Sequence, residues 1–181
     1  MRDKTVILGV SGSIAAYKSA EIASQLVKAD CRVHVVMTAH ACRFITPLTL
    51  QTISRNPVSS GLFDESDSWH PDHIKLADSA DLVVIAPATA NALAKLAHGL
   101  ADDLLSTICL ATPAPVLAAP AMNGKMWHHP ATRHNVATLR GRGVHFIGPE
   151  DGLLACGYQG IGRLWNADGI VERIRELLAQ A

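Results

Sequence analysis

The sequence predicts a doubly wound α/β fold, a three-layer sandwich with helices on both faces of a parallel sheet. Three observations carry that expectation. Strand-length apolar runs recur along the chain with almost no polar interruption, as strands covered on both faces require. Between them lie segments whose apolar residues return every three or four positions, the spacing of helices with one covered side. The composition is 49% hydrophobic but only 4% aromatic, which leaves Ala, Leu and Val to build a core of closely packed layers.

Taken in order, KTVILGV (residues 4–10) reads as a buried strand, and the helical spacing over 15–29 predicts a helix with one covered face. RVHVVM (32–37) is a second strand, and DLVVIAPA from Asp81, APVLAAPA from Ala114 and GVHFIG from Gly143 supply three more. Helical segments fall at 91–96, 102–110 and 130–140, the last with Pro130 in its first turn, where a missing N–H costs nothing. Strand, helix, strand in repetition demands parallel pairing through right-handed crossovers, so the expected topology is Rossmann- or flavodoxin-like. Two stretches break the alternation: 56–72, polar and rich in Ser and Asp, and 148–162, which holds five glycines. Both are expected to be long connections, a kind that is usually functional or mobile.

With 181 residues the chain fills one domain, expected to span 1–181. Sixteen basic residues balance sixteen acidic ones, so the excess that binding to a phosphate backbone requires is missing and nucleic acid is not an expected partner. The N-terminus holds no signal-type segment and no 18-residue apolar span follows, so the expectation is a soluble cytoplasmic protein without a membrane partner. Cys31, Cys42, Cys109 and Cys156 stand 11, 67 and 47 positions apart, which excludes zinc-type spacing. Cys31 and Cys109 read as small buried hydrophobes, whereas Cys156, among glycines in LLACGYQGIGRL, reads as an accessible thiol.

In such sheets ligands sit beyond the carboxyl ends of the strands. The loop after the first strand, GVSGSIAAYK, is neither a GxGxxG fingerprint nor a Walker A loop, and the second strand ends in Thr38, with no acid for an adenosine ribose. Hydroxyls at Ser11, Ser13 and Thr38 beside the N–H groups of a helix start suit one terminal phosphate, and a mononucleotide such as FMN fits better than a dinucleotide. Helix capping by the same serines is the alternative. After the third core strand, Thr89, Asn91, Ser106 and Thr107 form a second polar set able to surround a heterocycle edge and a ribityl chain. In APAMNGKMW a neutral amide, Asn123, stands between the thioethers of Met122 and Met126, the pattern of a ligand wall or of a turn flanked by core methionines. HPDH (70–73) has a conceivable metal spacing, but no further ligands stand nearby, and no metal is expected.

These blocks together resemble the homo-oligomeric flavin-containing cysteine decarboxylases. GVSGSIAAYK, FITPLTLQTIS, DHIKLADSADLVVIAPATAN, LLSTICLATPAPVLAAPAMN, MNGKMW and ACGYQGIGR follow one another in the family's order across nearly the whole chain. The resemblance implies FMN held by Ser11, Ser13, Thr38, Thr89, Ser106 and neighbouring backbone; Gly9, Gly12, Ala88, Asn91 and Thr107 complete the candidate cofactor-binding set. It implies His73, Asn123 and Cys156 as catalytic residues, and Met122, Asn123 and Met126 against the substrate. Arg163, at the end of the cysteine block, is a candidate for substrate phosphate. One departure stands out: where the family commonly has Asp-Asn-Leu, this chain has Asp102, Asp103 and Leu104.

The Cys156 block points to the family's coenzyme A branch, whose substrate is 4'-phosphopantothenoylcysteine. Direct loss of carbon dioxide from a cysteine carboxylate would leave an unstabilised carbanion. Flavin oxidation of the carbon bearing sulfur places a thioaldehyde beta to the carboxylate, and that group accepts the electrons when carbon dioxide leaves. An acid must then protonate the enethiolate, and an ordinary thiol, pKa about 8.5, is mostly protonated near neutrality, which suits Cys156. An Asn holds a departing carboxylate without the positive charge that would oppose departure, and His73 is placed to take the thiol proton or orient the carboxylate. The alternatives are a peptidyl-cysteine decarboxylase of lantibiotic maturation, a flavin prenyltransferase, and a phosphatase-binding regulatory flavoprotein. The last is disfavoured by a chain that ends LLAQA without an acidic tail. Implied partners are copies of the same chain, as trimer or dodecamer with sites between subunits, and the phosphopantothenate-cysteine ligase to which many bacterial members are fused.

Overall fold

The computed structural model describes residues 1–62 and 72–180. Five parallel strands form the central sheet in the order β2-β1-β3-β4-β5: β1 (Thr5–Val10), β2 (Arg32–Met37), β3 (Leu82–Ala88), β4 (Val116–Pro120) and β5 (His145–Phe146). This is the flavodoxin-like order. Every residue of β1 and β3 is buried, which is why their sequences read as continuous apolar runs.

Alternate residues of the strands serve opposite faces. Val6, Leu8 and Val10 join one apolar cluster and Ile7 the other. The first cluster is closed by α1 (Lys18–Lys28), α2 (Pro47–Ser54) and α8 (Ala167–Leu178), through residues such as Ile22, Leu26, Leu50, Ile170 and Ile174. The second is closed by α3 (Asp72–Ser79), α4 (Ala90–His98), α5 (Leu104–Ala111) and, after the short α6 (Gly124–His128), α7 (Pro130–Gly141), through Ala77, Leu93, Ile108 and Leu139 among others. Gly9 in β1 has a packing reason: a Cβ there would stand 2.4 Å from Cδ1 of Leu105, so α5 lies directly on the strand. Pro87, unusual inside a central strand, sits where the register between β3 and β4 shifts.

Several expectations need correction. The helix expected over 15–29 opens as a 3₁₀ turn, Ile14–Tyr17, before the α-helix begins at Lys18. The stretch 148–162, expected to be a connection, contains an antiparallel hairpin of β6 (Glu150–Leu153) and β7 (Gln159–Arg163). Its glycines hid it: Gly152 and Gly160 pair directly across the strands, where side chains would otherwise have shown an alternating pattern. In the other expected connection, Ser59 bridges Val36 and covers the outer edge of β2, Asp72 opens α3, and residues 63–71 lie outside the described residues. Among the described residues no helix is long and apolar enough to cross a membrane.

One buried polar contact ties α1 to the sheet beside the site. Ser19 Oγ donates to the Ala86 carbonyl at 2.7 Å, and both residues are fully enclosed. We predict that Ser19→Ala lowers the unfolding free energy by about 1–2 kcal/mol, because the carbonyl stays buried after its donor is removed. Urea denaturation checks this, and an unchanged midpoint would show that the bond contributes nothing.

Candidate active site

The order of strands reverses between β1 and β3. The chain leaves β1 toward α1 on one face and leaves β3 toward α4 on the other, so a crevice opens above their carboxyl ends. Ser11 closes its floor. Its hydroxyl donates to Pro87 O (2.7 Å), accepts from Thr89 N (3.0 Å) and lies 3.3 Å from Thr89 Oγ1, joining the two strand ends through one buried side chain.

Above this clasp lies a cavity of about 430 Å³. Three helical N-termini meet there: Ser13 Oγ caps the 3₁₀ turn at Ala15 N, Thr89 Oγ1 caps α4 at Ala92 N, and Asp103 caps α5. Their unpaired N–H groups and dipoles favour an anionic or electron-rich ligand. Thr38, whose Oγ1 accepts from Ala41 N, and Asn91, whose exposed amide has no partner among the described residues, add polar groups to the rim. Gly12 lets the first loop touch the loop after β2, since a Cβ would stand 2.4 Å from Cβ of His40.

The Asp103 departure now has a structural meaning. Its Oδ1 accepts from Ser106 N (2.8 Å), Ser106 Oγ accepts from Asp103 N (3.2 Å), and its Oδ2 receives Lys95 Nζ at 2.6 Å. Lys95 also pairs with Asp102 at 2.6 Å. Burial opposes ionisation of Asp103, but the Lys95 ammonium and the Ser106 donors outweigh it and hold the carboxyl below the usual range. Burial likewise opposes the charge on Lys95, and the two carboxylates outweigh it and raise that group.

A second cavity, about 410 Å³, adjoins the first and shares Ser13, Ala121 and Met122 with it. Asn123 and Cys156 line it, together with Lys18 and Arg163. The glycines around Asn123 explain how the hairpin reaches it. Gly162 has φ +142° and a Cβ there would stand 2.1 Å from Met122 O, while a Cβ at Gly124 would stand 2.8 Å from Ile161 O. Backbone lies on backbone, pinned by Met122 N to Gly162 O at 2.9 Å. Asn123 Oδ1 accepts from Lys125 N (2.9 Å) and from Tyr158 Oη (2.8 Å), and Nδ2 donates to Cys156 Sγ at 3.4 Å. Arg163 is already committed: its Nε and Nη2 both reach Glu150 Oε2, at 3.1 and 2.7 Å. Lys18 is half-buried and its ammonium has no partner among the described residues.

Of the residues singled out in the sequence, Ser11, Gly12, Ser13, Thr38, Thr89, Asn91, Ser106, Met122 and Met126 line the first cavity. Met126 does not line the second cavity, as Met122 does, so the two thioethers do not flank the amide symmetrically. Gly9, Ala88 and Thr107 lie off both cavities, and the Thr107 hydroxyl is spent on Asp103 O and Ala101 O. His73 stands near the start of α3 and lines neither cavity. Cys156 is exposed at the hairpin tip; Cys109, by contrast, is partly buried in α5, where desolvation and then the Asp103 carboxylate push its thiol up to about 12. Lys95, Lys18 and Tyr158 were not foreseen as site residues. Tyr158 and Lys18 sit inside motifs that point to other residues; the Tyr158 bond to Asn123 and the place of Lys18 on the second cavity reveal them.

An open parallel sheet in this order, with a nucleotide-sized cavity at the reversal and a second cavity against it, defines a flavodoxin-like α/β protein. The chain belongs to the Flavoprotein family, whose model matches residues 1–179. A Bacillus subtilis (strain 168) relative named coenzyme A biosynthesis bifunctional protein CoaBC is 47% identical over 180 residues. Those residues are 99% of this chain but 44% of that protein, so the chain spans less than half of that relative's length. A probable phosphopantothenoylcysteine decarboxylase of Streptococcus mutans is 48% identical over 177 residues, 97% of this chain and 99% of that one. A solved structure of a PPC decarboxylase mutant complexed with pantothenoylaminoethenethiol matches with a TM-score of 0.87 at 33% identity, covering 99% of this chain and 100% of that one. The family resemblance read from the sequence blocks is borne out.

The shifted pair sets a pH window. Asp103 is more acidic folded than unfolded, so its contribution is present above the ordinary carboxylate pKa, about 3.9, and is lost as pH falls through the lower folded value. Lys95 is raised, so its contribution is complete below about 10.4 and is lost as pH rises through the higher folded value. Asp103→Asn keeps an N-cap acceptor for Ser106 but no titrating group. We predict that the variant's melting temperature falls less steeply than the wild type's below about pH 4; parallel acid limbs would show that this carboxyl is not the titrating group.

Proposed function

We propose that the protein is an FMN-dependent decarboxylase that converts 4'-phosphopantothenoylcysteine to 4'-phosphopantetheine in coenzyme A biosynthesis. The observation that carries this reading is the pair of cavities with a common wall of Ser13, Ala121 and Met122, one lined by hydroxyls and helix N-termini and the other by Asn123 and Cys156. The first suits FMN: capped N-termini and hydroxyls for one phosphate and a ribityl chain, with the apolar side chains of Met122, Leu105 and Met126 for a ring. FMN bound there supplies the two-electron oxidation of the cysteine carbon bearing sulfur and its later reversal.

The remaining work belongs to residues of this chain. Asn123 Nδ2 carries two hydrogens, one engaged by Cys156 Sγ, which leaves the other for the substrate carboxylate with no positive charge to oppose its departure. Cys156 gives its Sγ proton to the enethiolate carbon after carbon dioxide has left. Met122, Leu154 and Ala121 make an apolar surround that limits water. With Arg163 held by Glu150, Lys18 is the freer cation on this cavity and takes the substrate phosphate. His73 reaches neither cavity of its own chain, so the reading includes a homo-oligomer, trimer or dodecamer, in which a neighbouring copy presents it. A cytoplasmic setting and a ligase that supplies the substrate complete the proposal.

Two outcomes are expected. The yellow wild-type protein, incubated with phosphopantothenoylcysteine, yields a product lighter by one carbon dioxide, whereas Cys156→Ser releases the oxidised enethiol; full conversion by the variant would remove Cys156 as proton donor. Lys18→Met raises KM for the phosphorylated substrate about tenfold, the order of one charge-assisted contact, and leaves KM for dephosphorylated pantothenoylcysteine unchanged. An equal rise for both substrates would count against phosphate recognition by Lys18.

A further inference from the structure

Cys156 stands at the tip of the β6–β7 hairpin, and little of that tip is buried. Leu154 is enclosed, whereas residues 155–159 are exposed. The turn closes on itself through Leu154 N to Tyr158 O and Gly157 N to Leu154 O, both 2.9 Å, with Gly157 at φ +89°, a conformation that suits glycine. These bonds shape the tip but do not attach it to the body. Its two side-chain hydrogen bonds to the body both end on Asn123: Tyr158 Oη to Oδ1 at 2.8 Å, and Nδ2 to Cys156 Sγ at 3.4 Å.

The two contacts differ in strength and direction. A backbone N–H can only donate, so Lys125 N fixes which end of the amide is the oxygen, and the Tyr158 hydroxyl must then be a donor to it. That leaves the NH₂ end turned to the thiol. The sulfur contact is long and weak, whereas the hydroxyl contact is short. The Tyr158 ring lies over Gly160, where a Cβ would stand 3.6 Å from Cε2, so it rests beside β7. Tyr158 and Cys156 flank Gly157, so a displacement of the tip that carries the hydroxyl away from Oδ1 carries the thiol away from Nδ2.

We infer that Tyr158 is a positioning residue: its hydroxyl latches the hairpin tip to Asn123 and thereby holds the Cys156 thiol beside the amide that receives the substrate carboxylate. The latch itself rests on geometry alone. Its effect on the reaction rests on the decarboxylase reading given above.

The test is Tyr158→Phe in the full flavin-bound chain, which keeps the ring and removes only the hydroxyl. Hydrogen exchange read by mass spectrometry is expected to show the amides of 154–158 exchanging about fivefold faster, the loss of one hydrogen bond, with β1 and β3 unchanged. Turnover of phosphopantothenoylcysteine is expected to continue with KM little altered, but a larger share of product leaves as the oxidised enethiol because the proton donor is displaced. A purely structural role would not change that partition. Unchanged exchange at the tip overturns the latch. Faster exchange with an unchanged product ratio overturns the positioning role. Faster exchange when neither wild type nor variant releases carbon dioxide supports the latch and overturns the decarboxylase reading, so the two failures are told apart.

Discussion

The Ser11 hydroxyl holds the site together. A parallel sheet covered on both faces has nowhere to place a ligand except at its carboxyl edge, and there only where neighbouring strands send their chains to opposite sides. At that point backbone groups of two strands end without a ladder partner, and each buried orphan costs free energy. One side chain answers two of them at once, since Ser11 Oγ serves Pro87 O and Thr89 N, and the Ser11 backbone N reaches Pro87 O as well at 3.3 Å. The first loop and the α4 start are thereby tied to each other, and both line the cavity between them.

The second cavity depends on a different constraint, the approach of β7 to the loop after β4 at a distance only glycine allows. Gly124 and Gly162 let carbonyl and Cα surfaces meet, and the hairpin they admit brings Tyr158 and Cys156 to Asn123 from a segment more than 30 residues away, as the separation of 33 positions in the Asn123–Cys156 contact shows. Met122 belongs to the same tight spot and faces both cavities. A ligand in one cavity therefore rests on a wall whose position is set by the hairpin closing the other.

These dependences decide what the sequence could reveal. β1 to β4 were legible because strands buried on both faces must be apolar throughout, and β2 was read with its observed bounds. α8 passed unread although Ile170, Ile174 and Leu178 repeat at helical spacing and cover the α1 face. β6 and β7 were illegible for a physical reason: with glycine on both sides of the ladder there is no alternation to detect. Among site residues, Ser11, Thr89, Asn123 and Cys156 announced themselves through motif context. Lys95 did not, because its importance lies in two carboxylates seven and eight positions onward, Asp102 and Asp103, that only the turn between α4 and α5 brings onto it. Lys18 is notable for lacking a partner among the described residues, which no sequence pattern encodes.

The same ion pair resolves an electrostatic difficulty in the proposed cofactor site. A cavity proposed for a phosphate should not face a partly buried carboxylate, yet Asp103 lines it. Left alone, that charge would repel the ligand and resist burial. Lys95 offsets it at 2.6 Å and reaches Asp102 at the same distance; solvent screens the contact with Asp103 weakly, whereas Asp102, 67% exposed at its side chain, keeps its remaining charge in water. What the cavity then offers is the partial positive charge of three helix starts and a set of hydroxyls, with no free formal charge contributed by this pair. Dipoles and hydroxyls hold a mononucleotide by direction more than by net attraction, and the Lys18 ammonium, which has no ion partner among the described residues, lies on the neighbouring cavity. The charge arrangement thus matches the two proposed binding tasks: hydroxyls and helix starts beside the compensated Asp103 on the side proposed for the cofactor, and the Lys18 ammonium on the side proposed for an anionic substrate.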